Sequence, residues 1–403
     1  MTVGQLGMKH PSLAAMVEAI RVSLSREAMH YRFTEAAVAF MKVCTEFVLI
    51  QKVSAMALLQ GSLMKYFNRI LIFDSTSWDI SPKLKDILPG SGGGASEANC
   101  KMQVCYEYKR GKLSFFEMTS GITPDGAYTA HLPGHLQRGD LILLDLGYFR
   151  MKTFFEISEI GAYFISRLSL GIGLFNPLSY QPLHLYGILK KLNGDAHQMD
   201  VIVGSDKKTQ VLSRLICLRV SPEIAELRRR KLRKTSRKKG RIPSQYHLLL
   251  ADWTLMITNV PSQWVPAEMV RLFYTLRWQI ELLFKQLKTV LCIHKSNTGK
   301  ENRLRCEIYG KMIMAILIHR VHAEINIRLW NSSKKQLSME KLYKRFQERA
   351  FIILNLLLKS LQKTKDYLIT EIPRLIKNCL IYTQRSRRTT LEMLEFGLCR
   401  QVK

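Results

Sequence analysis

Four residues between positions 274 and 288 have the types and spacing to do chemistry: Tyr274, Arg277, Glu281 and Lys288, in the segment RLFYTLRWQIELLFKQLK. On one continuous helix, at ~100° per residue, they share an arc of about 60° on one face. Lys285 falls on the same strip, while Phe273, Ile280, Leu283, Phe284 and Leu287 make an apolar arc opposite and beside it. One carboxylate set among cations and a phenol is what metal-assisted phosphodiester chemistry needs: a cation ligand surrounded by groups that hold phosphate. Glu281 and Lys285 are also an i,i+4 pair of the kind that solvated helix faces use routinely. The rest of the chain has to decide between the two readings.

Two aspartates tip the balance. Two-metal phosphoryl transfer needs carboxylates that converge on two cations ~3.5–4 Å apart. Asp74 ends the apolar run Ile70-Leu71-Ile72-Phe73, and Asp145 ends Leu141-Ile142-Leu143-Leu144. If those strands are parallel neighbours, both carboxylates emerge at the same edge of the sheet. Glu281, projected from a helix packed on that sheet, could then complete a triad. A lone aspartate after a strand is also a common turn residue. Asp140 is a nearby competitor, but five residues of strand put it ~16 Å from Asp145, too far to share a site.

The spacing Tyr-x2-Arg-x3-Glu-x6-Lys, together with Asp74-Ser75-Thr76 and Asp145-Leu146-Gly147-Tyr148-Phe149, closely resembles the motifs of DDE transposases from bacterial insertion sequences of the family-four type, which carry a Y-R-E-K signature. The resemblance covers roughly residues 65–300. It implies an enzyme that binds double-stranded DNA at terminal inverted repeats and cuts at the element ends with Mg²⁺, Mn²⁺ being able to substitute. The freed 3′-hydroxyls would then be joined to target DNA by direct transesterification, by a homodimer assembled on DNA. Asp74, Asp145 and Glu281 would be the metal ligands and the catalytic set, and Tyr274, Arg277, Lys285 and Lys288 would grip phosphates near the cut. Trp253 sits where related transposases place an aromatic that stacks on a flipped base, although a tryptophan in a strand is more often core. Two alternatives stay open: a degenerate or domesticated transposase that binds DNA without cutting it, and a ribonuclease-H-like nuclease without strand transfer. The stretch before Asp74 is somewhat short for the family, which bears on end recognition.

The elements that must position these residues follow an α/β pattern. Residues 1–64 read as helical, Phe33 to Leu63 being free of proline. A hairpin is expected from Lys101–Tyr108 and Leu113–Met118 across Lys109-Arg110-Gly111, then a short helix near 125–136, a helix over 150–160 and a strand over 162–166. The order resembles a ribonuclease-H-like core, in two pieces at 65–166 and 248–300. Between them, 167–247 reads as a β-rich insertion that ends in a basic segment. Residues 301–403 read as a helical C-terminal region suited to dimerisation, and the N-terminal helices as a region suited to binding DNA ends. Leu248–Val260 reads as strand, followed by the Tyr274 helix.

Charge narrows the partner. There are 61 Lys+Arg against 32 Asp+Glu, a formal charge of +29, and such an excess suits a polyanion, nucleic acid above all. The densest block is 228–241, RRRKLRKTSRKKGR, with Arg228, Arg229, Arg230 and Lys231 at its start. Such a block is either a solvated arm or a segment that tracks phosphates. The apolar runs are far shorter than the ~20 residues needed to span a bilayer, and the N-terminus lacks a signal-peptide pattern. The expectation is a cytoplasmic, nucleoid-associated bacterial protein without a membrane partner. Eight cysteines lie scattered with no CxxC pair, which argues against a structural zinc. His131 and His135 have i,i+4 spacing, but Pro133 between them reads as a loop.

Overall fold

The structure is a computed structural model that describes residues 12–20, 23–51, 63–92, 96–296, 298–381 and 390–396. The expected helical stretch over 52–62, residues 93–95 and the C-terminal residues 382–389 and 397–403 lie outside the described residues. Nine strands form one mixed sheet: β1 (Ile70–Asp79), β2 (Asn99–Glu107), β3 (Lys112–Ser120), β4 (Leu141–Leu144), β5 (Tyr163–Arg167), β6 (Leu174–Phe175), β7 (Ala196–Val203), β8 (Val211–Arg219) and β9 (Trp253–Thr258). Their order across the sheet is β3-β2-β1-β4-β5-β9-β8-β7-β6. The chain divides into two compact units, one of residues 1–59, 74–123 and 278–387, the other of 60–73, 124–277 and 388–403. The division passes through β1 between Phe73 and Asp74, and again between Arg277 and Trp278.

In the unit that contains 124–277, β1, β4 and β5 run parallel and β5, β9, β8, β7 and β6 follow antiparallel. The parallel strands are continuous apolar runs because both of their faces are covered: Ile70 through Phe73 and Leu141 through Leu144 are all buried. Asp140, at the foot of β4, is fully buried and holds the Arg69 guanidinium through two hydrogen bonds. It is a structural ion pair. Antiparallel β7 and β8 pair along their whole length, from Ala196↔Leu218 to Val203↔Val211.

In the other unit, β2 and β3 form the expected hairpin with a bulge at Cys105/Tyr106. Its turn is fixed by Gly111, at φ +62°, and by the buried Glu107 carboxylate, which accepts the backbone N–H of Lys109 (2.9 Å) and Arg110 (3.0 Å). A 33-residue helix, Glu301–Ser333, runs through this unit, and the helix Glu35–Ile50 packs along it. Their seam joins Met41, Cys306 and Ile313 to Phe33, Ala37, Val38, Cys44, Val48 and Tyr309. Thr34 caps the shorter helix by accepting the N–H of Ala37.

Three local readings change. The basic block is not an extended arm: Pro222–Lys238 is a helix of 17 residues. The stretch read as strand from Leu248 begins as a helix, Gln245–Leu250, and only Trp253–Thr258 is strand. The single helix drawn through Tyr274 and Lys288 is two helices, Ala267–Thr275 and Trp278–Thr289. At the break the N–H groups of Leu276 and Arg277 bond to Phe273 and Tyr274, three residues back, and the Thr275 hydroxyl donates to Leu272 O at 2.6 Å. A threonine bonding back onto its own turn competes with the regular ladder. The 100°-per-residue count therefore does not carry across residue 276.

Candidate active site

Asp145 is placed by the parallel pairing of β1 and β4. Ile70, Leu71, Ile72 and Phe73 are in register with Leu141, Ile142, Leu143 and Leu144, and the residues that follow the last pair are Asp74 and Asp145. After Asp145 the chain turns at once: Tyr148 N–H returns to Asp145 O at 3.0 Å, and the buried Tyr148 ring meets Phe73 edge-on at 5.4 Å. This turn leaves the Asp145 side chain half-buried, and its Oδ1 accepts the Tyr274 hydroxyl at 3.2 Å. The phenol is pushed well above its usual pKa, by burial first and then by the Asp145 carboxylate, with Arg277 and Arg167 opposing. Tyr274 is therefore a hydrogen-bond donor at any working pH.

In the other unit, Asp74 is half-buried on β1, and its carboxylate accepts the Ser75 N–H at 2.8 Å. Glu281 lies in the first turn of the Trp278–Thr289 helix, where the partial positive charge of the helix end favours a carboxylate. Lys288, in the last turn, donates to Ser77 O of β1 at 2.9 Å, and burial lowers the pKa of its ammonium. Lys285 is turned to Glu340, 3.7 Å away, as an exposed ion pair. Trp278, passed over in the sequence, is 61% exposed at the head of the same helix.

All three candidate ligands offer carboxylate oxygen, the donor type that hard divalent cations take. Among the described residues, no group of three or more His, Cys, Asp or Glu side chains is gathered closely enough to hold a metal ion.

Trp253 is not an open platform. It opens β9, is 3% exposed and pairs across the sheet with Arg219 of β8. The Arg219 guanidinium lies over its ring, 4.8 Å from the centroid, and His197 meets it edge-on at 6.0 Å. A base could stack here only after Arg219 moved away.

The basic helix is divided in use. Arg228 donates to Trp253 O at 2.9 Å and to Thr254 Oγ1 at 3.1 Å, and Arg229 is paired with Asp252. These two tie the helix to β9. Arg230 faces Glu226 at 3.3 Å, and Lys231 is exposed. Two arginines that the sequence did not single out, Arg167 and Arg271, are near enough to Arg228 to lower its pKa, after burial as the larger cause. Beside them a cleft of about 1050 Å³ is lined by Arg219, Arg229, Arg271, Asp195, Asp252 and Glu268 among others. Only long-range pairing brings these arginines together, so no local pattern could have found them.

The pattern of the family described as Transposase DDE domain matches residues 65–318. The transposases for insertion sequence elements IS231E and IS231F of Bacillus thuringiensis are 30% and 32% identical to this chain. The first match covers 92% of this chain and 81% of the relative, the second 85% and 74%. The transposase for IS1151 of Clostridium perfringens is 29% identical over 73% of this chain and 65% of its own length. The family pattern spans most of the chain, and the aspartate, tyrosine and glutamate motifs fall within it: the chain belongs to the DDE transposases of bacterial insertion sequences.

Proposed function

We propose that this transposase binds the terminal inverted repeats of its element, cleaves the element ends and joins their 3′-hydroxyls to target DNA, with Asp74, Asp145 and Glu281 as the catalytic carboxylates. The observation that supports it best is the parallel register of β1 and β4, whose last pair, Phe73 with Leu144, immediately precedes Asp74 and Asp145 in the sequence. The order β3-β2-β1-β4-β5, with its hairpin and parallel strands, supports reading this part of the sheet as a ribonuclease-H-like core made of 65–166 and 248–300. In that reading 167–247 is an insertion, 1–64 serves end binding and 301–403 serves dimerisation.

The three carboxylates would hold Mg²⁺, with Mn²⁺ as a substitute; when bound, the cations activate the attacking oxygen and stabilise the leaving one. Tyr274 keeps Asp145 oriented through its hydroxyl. Arg277 and Lys288 hold phosphate oxygens near the scissile bond. Lys285 joins them once DNA competes with Glu340, since an exposed ion pair is worth only ~0–1 kcal/mol. Arg230 and Lys231 contact the backbone further out. A homodimer on DNA pairs the two ends before strand transfer, in the bacterial nucleoid.

The test uses labelled element-end DNA. Asp74→Asn, Asp145→Asn and Glu281→Gln should each abolish Mg²⁺-dependent cleavage and leave end binding nearly intact, because each removes a cation ligand and no phosphate contact. Substantial cutting by one variant removes that residue from the set. A wild-type protein that binds ends and does not cut is a domesticated binder, and one that cuts without joining is a nuclease.

A further inference from the structure

We propose that the outward face of the Glu35–Ile50 helix is a self-association surface, pairing antiparallel with the same helix of a second copy of this chain. The helix already buries one stripe, Met41 and Thr45, and Met41 packs against Cys306 and Ile313 of the Glu301–Ser333 helix. On its other side Phe40, Val43, Phe47 and Ile50 are 66%, 61%, 59% and 73% exposed. A surface helix of a monomer normally places polar residues there. The spacing of these four, 3-4-3, is that of the apolar seam by which one helix packs against another, so the shape it asks for is a helix.

Charge and shape point to a second copy as that helix. The helix carries Glu35, Lys42 and Glu46, a net of about −1 in a chain of +29. Lys42 and Glu46 are paired with each other at 3.8 Å. Such a face does not attract a DNA backbone, and two basic chains can meet across it without strong repulsion. The seam is also self-complementary. About a two-fold axis midway between Val43 and Phe47, Phe40 lies opposite Ile50 and Val43 opposite Phe47, so every ring meets an aliphatic side chain. Four such side chains on each copy would remove roughly 1,000 Å² in total from water, near the lower bound for a specific interface. Micromolar association is the expected strength.

The inference goes beyond the proposed function, which gives 1–64 to end binding and 301–403 to the dimer on DNA: it adds a contact between DNA-free chains, so its test contains neither DNA nor metal. Sedimentation of the full chain from ~1 to ~100 μM should show a monomer–dimer equilibrium in the micromolar range. The double variant Val43→Lys/Phe47→Lys should stay monomeric throughout, with unchanged far-UV circular dichroism and thermal midpoint, since no residue of the buried stripe is altered. Should that variant misfold, Val43→Cys and Phe47→Cys, each in a Cys44→Ala background, replace it. Mixed and oxidised, they should crosslink 43 to 47 far more than either alone crosslinks to itself. A wild-type chain that is monomeric at every concentration overturns the proposal, as does a dimer that survives the lysines. Preferential 43–43 crosslinking overturns the antiparallel arrangement. A monomeric wild type that still cuts ends would reject this surface and leave the transposase reading standing.

Discussion

The Tyr274 hydroxyl is spent on Asp145 before any DNA arrives. A hydrogen bond to a charged group is worth about 1.5–3 kcal/mol, and each 1.36 kcal/mol on a barrier is about tenfold in rate. Tyr274→Phe is therefore expected to slow end cleavage by roughly ten- to a hundredfold, with end binding and the thermal midpoint changed little. Single-turnover cleavage and a binding assay on the same preparation check it. Wild-type cleavage by the phenylalanine variant would mean the hydroxyl does not orient the carboxylate. For Trp253, burial under Arg219 and against His197 makes packing the dominant role. Trp253→Ala should cost about 3–5 kcal/mol of folding stability, seen in denaturant unfolding, and depress DNA binding and cleavage together. A stable variant defective only late in cleavage would restore the base-stacking role.

Among the elements, the Pro222–Lys238 helix makes a sharp distinction between neighbours. Arg230 and Lys231 point outward, while Arg228 and Arg229 anchor the helix to β9. Arg230→Ala/Lys231→Ala is expected to lower the slope of log K against log [salt] by about 0.9 per lost phosphate contact, with folding intact. Arg229→Ala should instead loosen the helix from Asp252 and lower the thermal midpoint. An unchanged salt slope in the first variant would place that face away from DNA. The strands β1 and β4 were legible in the sequence because buried parallel strands are unbroken apolar runs, and the aspartates stand where the runs stop. The hairpin was legible from its glycine turn. The basic helix was not, since like charges at i,i+4 disfavour a helix and its anchors, Asp252 and the backbone of Trp253, are remote in sequence. Nor was the break after Thr275, which has neither glycine nor proline to mark it. The cover over Trp253 comes from Arg219, its cross-strand partner, and a residue pattern read along one strand does not contain its neighbour.

At the scale of the whole molecule, two properties follow from charge and burial. A chain of +29 should bind any duplex at low salt, so recognition of its own ends has to be measured as a ratio to random DNA at physiological ionic strength. Stability should also fall on mild acidification. His319 is buried with neither ring nitrogen hydrogen-bonded among the described residues. Burial, with His322 adding to it, lowers its pKa to about 3; His322, also lowered by burial, sits at about 4. Both are below the ~6.5 of an unfolded histidine. The unfolded chain therefore binds more protons as pH falls below ~6.5, and the stability contributed by the neutral rings, fully present above that pH, is lost progressively toward pH ~4. Urea midpoints at pH 7.5 and 5.0 should differ. His319→Leu, which sacrifices no hydrogen bond, should narrow that difference; an unaltered pH dependence would exclude His319 as its source.

A helix of 17 residues is about 25 Å long at 1.5 Å per residue. Fastened at Arg228 and Arg229 to a strand of the sheet, it is a stiff ruler rather than a tether. Duplex DNA advances ~3.4 Å per base pair along each strand, so the rod can lie alongside no more than roughly seven base pairs. Protection from nuclease attack outside the cleavage position should accordingly end at a fixed distance and on one side of the duplex. A floppy arm of the same composition would smear that boundary over many positions.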